Sequence, residues 1–579
     1  MFRGFVFGAL AIAIVIANPG RGVACASPAV AAAAVSPAGA DAGGLQAAVD
    51  SAHEPLFDGL GNLHHPVTTK TNSTLAQRFF DQGLTLVYAF NHDEAAESFE
   101  QAANLDPGMA MAYWGIALSL GPNINQPADP ERGKKAYAAI VKAKSLEADV
   151  SNPERDYIDA LALRYAPDGE TDGAHQLAYA NAMREVARRN PDDPDAGTLF
   201  AESMMDLHPW QLWTADGKPA EGTPEIVATL EGVMAKYPDH LGANHYYVHA
   251  VEASPDPGRA LASAQRLPKL APAAGHLVHM PSHIYFRLGE YDESAAANLA
   301  AIKADKVYLR ERSPTGLYPM MYVPHNVLFL WASYMMEGNS RGALKATRQL
   351  DGDVTPEMAR QMPMAEFMMP ALWRYFTEAR FGRWDAILKE PPPSKELSYT
   401  TAVWHYARGL AFAAKNRPAD AANEKKKLDE TVAATPPDLM MGFNSENRLL
   451  AIGSATLGGE IDSARGNHDD AIKQLKEAVA LQDALNYEEP PSWYYPVRET
   501  LGMELLADGK TAEAEQVFRD DLKQNPENGW SLNGLAMCLR ARNASDEAAS
   551  VEARFKKAWA HADVDLPASV AAGKTTAAR

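Results

Sequence analysis

Cysteine is nearly absent: the 579-residue chain has two, Cys25 and Cys538. If residues 1–26 are removed as expected below, one remains, so no intramolecular disulfide is possible and packing must hold the fold. Basic runs are also scarce. The balance of 54 Lys+Arg against 74 Asp+Glu gives a net charge of −20, which repels phosphate backbones and makes cations better partners than nucleic acids. Runs of alternating β-branched residues are almost missing, so no strand precedes a Gly-rich phosphate loop. Gly-x-Ser-x-Gly is absent and no Cys/His pair has nucleophile spacing, which argues against hydrolysis by a serine or cysteine nucleophile.

Long apolar runs are lacking too. Phe5 to Ala17 is uninterrupted but thirteen residues long, too short to span a bilayer and well suited to a signal-peptide core. Arg3 precedes it, Asn18-Pro19-Gly20 ends it, and the small-x-small triplet Ala24-Cys25-Ala26 offers a cleavage site. The expectation is a signal peptide over 1–26 and an exported protein, periplasmic or extracellular, with no transmembrane helix in the mature chain. Lipid anchoring at Cys25 is the rarer alternative, because Gly22-Val23-Ala24 lacks the usual upstream leucine. Residues 27–74 read as a flexible Ala/Pro/Gly/Ser tether and an N-terminal cap.

What the chain has in quantity is amphipathic helix. From Leu75 onward, stretches of about a dozen residues with helical periodicity alternate with Gly, Asn or Pro turns, as in an all-α solenoid. Gly83, Ala95, Phe99, Ala102 and Pro107 fall at positions 8, 20, 24, 27 and 32 of a 34-residue unit starting at Ala76. Small residues at 8 and 20 let paired helices approach, and the proline ends the second. Leu241 to Ala274 repeats the pattern with Ala260, Ala264 and Pro272; Gly275 to Tyr308 follows directly with Gly289, Tyr291 and Ala301; Pro324 opens another with Gly338 and Ala343. Further units start near Ala110, Pro194, Met368, Ala402, Ile452, Tyr495 and Gly529.

This phase resembles the tetratricopeptide repeat family over most of residues 76–562, about eleven slots, and implies a right-handed superhelical solenoid. Phe90-Asn91-His92-Asp93-Glu94-Ala95 and Ala112-Tyr113-Trp114-Gly115-Ile116-Ala117 also look like a group of exported bacterial repeat proteins, a likeness that implies no activity. The expected division is an N-terminal array with a His-rich groove over 75–355, a C-terminal array over 356–565 and a disordered tail over 566–579.

In this family positions 2, 5, 9 and 12 line the concave groove, and their spacing of three or four puts them on one helical face. The resemblance therefore turns six histidines inward: His245 and His249 at 5 and 9, His276, His279 and His283 at 2, 5 and 9, and His325 at 2, joined by Glu252 at 12. Sixteen histidines spread over 579 residues would leave about a third of one in the twelve slots of these three repeats. Three readings account for the excess: a metal site, a polar groove for a peptide or small anion, and inter-repeat hydrogen bonding without a ligand.

For a metal, His245-x-x-x-His249 and His279-x-x-x-His283 each present two ring nitrogens at i, i+4. Glu252 would ligate or orient a ring, and Asp206 and Glu202 on the preceding groove helix would complete a mixed His/carboxylate set for Zn, Fe, Mn, Ni or Cu. His325 joins the ligands, while His276 and Glu202 are the expected acid/base pair if the metal activates water or dioxygen for a small-molecule substrate. The alternative is a scaffold that holds a peptide or partner protein without catalysis. Insertions at His208–Thr223 and Leu309–Val323, rich in aromatics, flank the histidine repeats as candidate covers. His92, His405 and His468 fall on packing slots, His64-His65 could cap the first repeat, and the Met pairs from Met320-Met321 to Met440-Met441 suit core filling.

Overall fold

A computed structural model describes residues 54–350, 366 and 369–566. The expected signal peptide, most of the tether, Cys25, Met368 and most of the expected tail lie outside the described residues.

The chain is an α-solenoid. The helices run α1 Thr74–Tyr88, α2 His92–Leu105, α3 Ala110–Leu120, α4 Pro130–Leu146, α5 Asn152–Ala162, α6 Gly173–Arg189, α7 Pro194–Met205, α8 Thr223–Lys236, α9 Leu241–Val251, α10 Leu261–Leu270, α11 Gly275–His279, α12 Pro281–Leu288, α13 Tyr291–Arg312, α14 Val323–Met336 and α15 Ser340–Thr347. The second half continues with α16 Pro370–Arg380, α17 Trp384–Lys389, α18 Ser398–Ala414, α19 Pro418–Ala434, α20 Glu446–Ala464, α21 His468–Asp483, α22 Arg498–Ala507, α23 Thr511–Gln524, α24 Gly529–Ala541 and α25 Ser545–Ala558. Among the described residues the named strands are Met440–Met441 and Asn444–Ser445, a short antiparallel hairpin.

Helices pack as antiparallel pairs because the small positions let them. The Phe99 ring lies between Gly83 on α1 and Gly115 on α3, where an added Cβ would stand 2.8 and 2.4 Å from ring atoms. Phe518 repeats the arrangement between Gly502 and Gly534. In these two units one bulky ring fills the space that three helices leave when two of them lack side chains there. Buried apolar residues form two clusters, one from Leu60 to Tyr322 and one from Phe286 to Val551, whose sequence ranges overlap within the histidine-bearing repeats.

The superhelix curls until distant units touch. Near the end of α13, Arg312 pairs with Glu94 and Glu54, and Tyr308 donates to Glu94 at 2.6 Å. At the other end, Tyr291 donates to the Pro526 carbonyl, and the backbone N–H groups of Ser340 and Arg341 donate to Asp563. Between them, Arg380, its side chain 5% exposed, forms an ion pair with Glu499 and stacks 3.9 Å above Trp530.

Candidate metal centre

His245 and His249 lie on α9, which begins at the His240 cap, whose ring accepts from the Ala243 N–H at 3.1 Å. Gly242 lets α9 approach α1, since a Cβ there would sit 2.5 Å from the Tyr88 ring. That approach places the His245 Nδ1–H 2.6 Å from the Tyr88 carbonyl. His279 and His283 straddle Pro281, which separates α11 from α12. Pro281 has no N–H to donate, and the His283 N–H donates to the Met280 carbonyl three residues back at 3.3 Å. The tightened turn brings the two Nε2 atoms to 2.7 Å.

All six rings converge. His245 Nε2 stands 3.0 Å from His276 Nε2, and His325 Nε2 stands 3.1 Å from His279 Nε2. Candidate ligand atoms lie within 4.8 Å of one another in three overlapping sets: His245/His249/His276, His279/His283/His325 and His249/Glu252/His283. Five of the six residues are buried, and His325 is half-buried.

The partners fix which nitrogen is bare. A carbonyl cannot donate, so the His245 proton is on Nδ1, facing Tyr88. Asn298 spends its amide N–H on the Ser294 carbonyl at 2.8 Å, so its oxygen accepts from His279 Nδ1–H at 2.6 Å. Glu252 accepts from His249 Nδ1–H at 2.9 Å and from His283 Nδ1–H. Burial works to raise its carboxyl, but the two imidazoles outweigh burial and hold it down to about 2. Burial and neighbouring imidazoles keep His245, His276 and His279 neutral, well below the usual range, and push His325 down to about 3. Burial lowers His283 as well, against the pull of Glu252. With Nδ1 protonated and the rings neutral, Nε2 of His245, His279 and His283 carries only a lone pair. Among the described residues, His249 Nε2 and His276 Nδ1 are buried without a hydrogen-bond partner.

The expected carboxylates do not join this group. Asp206 accepts from the buried Arg164 at 2.6 Å, and Glu202 is hydrogen-bonded to Asp206, with burial and then Asp206 raising its carboxyl well above the ordinary range. Neither shares a donor-atom set with a histidine. The register rule turns both inward but says nothing of Arg164, which captures Asp206, the partner of Glu202. Glu252 is present behind the rings, orienting two of them through Nδ1. His276, expected as an acid/base group, sits within the ring cluster.

Both aromatic insertions reach the site. Trp210 packs its ring against His249, centroids 5.5 Å apart, and Tyr322 packs against His276 at 5.0 Å. The His276 N–H donates to the Tyr318 hydroxyl at 3.1 Å. Phe90, at the turn after α1, touches His245, His249 and His276 and was not anticipated. Asn298 was also missed, although a signal existed: it occupies position 24, the packing slot that holds Phe99 and Ala264 elsewhere. His65, left without a partner by the sequence, bonds Asp195 at 2.7 Å. A cavity of about 20 Å³ beside His249 and Glu252, between Trp210 and Tyr487, has room for about one water. Trp210 and Tyr487 also line a neighbouring cleft of about 980 Å³.

Paired helices stacked into a superhelix with small residues at the crossing points define a helical-repeat solenoid. A family model described as tetratricopeptide repeat matches residues 500–563, and that segment carries the repeat. Solved structures to which the chain shows some similarity include the human IFIT1 dimer with PPP-AAAA, at 13% identity over 84% of this chain and 91% of that one, TM-score 0.32. Yeast Tom70 is 12% identical over 84% of this chain and 90% of its own, TM-score 0.28. The APC/C hetero-tetramer Cut9-Hcn1 gives 13% over 80% and 76%, TM-score 0.28. No curated protein matches the chain. No described helix is long and apolar enough to cross a membrane.

Proposed function

We propose that this repeat solenoid binds a transition metal ion through its buried histidines. The observation that carries the reading is the His279–His283 pair. Both Nδ1 atoms are committed as donors, so two Nε2 lone pairs face each other at 2.7 Å, a repulsive contact unless a cation lies between or beside them. Two imidazoles on one ion, each about 2.0–2.1 Å from it, bring their nitrogens to about 2.9 Å at a right angle and about 3.3 Å at the tetrahedral angle. The observed pairs at 2.7, 3.0 and 3.1 Å cluster near the shorter figure. A bound ion would polarise a water or small ligand admitted beside His249; the chain's own part is to fix the ring tautomers and exclude bulk water.

The test is elemental analysis of tag-free protein after reconstitution with Zn(II) and desalting, beside the His249→Ala/His283→Ala variant. Near-stoichiometric metal that the variant loses supports the reading. Less than a tenth of an equivalent, or equal metal in both, overturns it.

Tetratricopeptide arrays are scaffolds for protein interaction, and the large cleft lined by Trp210, Trp213, Arg287, Tyr487 and Trp493 supports a second reading, a docking surface for a peptide. A Trp213→Ala/Arg287→Ala variant would weaken such docking and leave the metal content unchanged. Export belongs to the same proposal on the strength of the N-terminal apolar run, and N-terminal sequencing of protein recovered from outside the cytoplasm checks it.

A further inference from the structure

We propose that the six histidines hold two ions of copper or zinc, three imidazoles each, because the repeat builds the same three-ring site twice. The inference rests on the metal reading above and adds its count, its division and its class of ion.

The first trio takes positions 5 and 9 of the repeat at Leu241, His245 and His249, and position 2 of the next repeat, His276. The second takes positions 5 and 9 of the repeat at Gly275, His279 and His283, and position 2 of the repeat at Pro324, His325. One rule, 5-9-2′, generates both. The ring spacings repeat it, although the interplanar angles do so only from position 5 to 2′: from 5 to 9 they are 62° and 81°, and from 9 to 2′ 15° and 40°. From position 5 to 2′ the ring centroids are 4.9 Å apart at 77° in the first trio and 4.8 Å at 75° in the second. From 5 to 9 they are 4.9 and 4.7 Å, and from 9 to 2′ they are 6.0 and 5.9 Å. The Nε2 contact from 5 to 2′ recurs too, at 3.0 and 3.1 Å. A single ion shared by six rings would not require two copies of one triangle offset by one repeat.

Rings that share an ion at about 2.0–2.1 Å through Nε2 place their centroids about 5 Å apart at near-tetrahedral angles, as four of these six intra-trio distances do. The trios are adjacent, with His249 and His283 centroids 5.4 Å apart. Glu252 joins them from behind, one oxygen on His249 of the first and the other on His283 of the second. With both Glu252 oxygens accepting from Nδ1–H groups, Asp206 paired with Arg164 and Glu202 bonded to Asp206, each ion would see imidazole alone. That donor set suits copper or zinc better than manganese or iron, which favour more oxygen ligands. Three protein ligands leave a coordination position open, and the one-water cavity beside His249 meets the first trio there.

The test uses the full tag-free chain, stripped, incubated with excess Zn(II) or Cu(II), passed over a weak chelating resin and assayed for metal per chain. Two equivalents are expected. His276→Ala and His325→Ala, each removing the third ring of one trio, should each keep one equivalent with unchanged far-UV circular dichroism. One equivalent in the wild type overturns the two-ion division and leaves metal binding standing, whereas less than a tenth overturns both. Two equivalents retained by both variants place the ions elsewhere, and loss of both ions from one folded variant means a single shared site; either result overturns the proposal. The wild-type count needs no variant to fold.

Discussion

Glu252→Gln perturbs the centre without touching an Nε2 atom. The carboxylate is 1% exposed and accepts from two Nδ1–H groups, one in each trio. Glutamine keeps the shape but offers one acceptor and one NH2 donor. Whichever ring faces the NH2 must accept through Nδ1, and its proton moves to Nε2, the atom aimed at the ion. One trio then binds with two rings or pays for the opposite tautomer. Loss of such an orienting partner typically weakens a metal site 10–100-fold, about 1.4–2.7 kcal/mol. The metal-free protein should lose less, about 1 kcal/mol, because one hydrogen bond is retained and the buried charge is gone. Competition against a chromophoric chelator gives the affinities, and urea denaturation of the stripped protein gives the stability. If both dissociation constants stay within twofold of wild type, the tautomer argument is wrong. If the stripped protein falls by as much as the loaded one, Glu252 is structural only.

Two further outcomes are expected. Burial alone would lower His65, but its hydrogen bond and ion pair with Asp195, aided by Asp193 and Asp81, outweigh burial and raise it to about 9. A raised histidine contributes stability that is complete below its unfolded value of about 6.5 and vanishes as pH rises through about 9, so His65→Gln should cost at most about 3 kcal/mol at pH 6 and little at pH 10 in paired urea titrations. Gly83→Ala drives a methyl into the Phe99 ring and should cost about 1–3 kcal/mol, whereas Gly232→Ala, in open space on α8, should be neutral or stabilising by up to about 1 kcal/mol; a thermal melt that ranks them the other way refutes the packing account.

The solenoid was legible because repeat packing is local. Gly83, Ala95 and Phe99 must recur at fixed offsets for helices to nest, and that offset is a sequence property. The same phase predicts that six histidines face inward, since groove positions share one side of a helix. It could not reveal which inward residues meet. Asp206 and Glu202 turn inward too, yet Arg164, just past α5, takes Asp206, and Glu202 bonds Asp206 instead of a histidine. Nor does phase show the tightened turn at Pro281, the Tyr88 carbonyl under His245 or the Phe90 ring, which reach the site through tertiary approach. Asn298 was the exception, a polar residue in an apolar slot.

Asp563 under the N-terminus of α15, and Pro526 against Tyr291, have a consequence for how the chain comes apart. A string of units that touch only their neighbours frays from its ends, each unit melting at nearly its own strength. Here the last units are latched to the middle across more than 220 residues of sequence, so terminal fraying must first undo a ring closure. Clipping the chain after α23 should therefore loosen the proton-exchange protection of α13 and α15, far away along the backbone but next door in space.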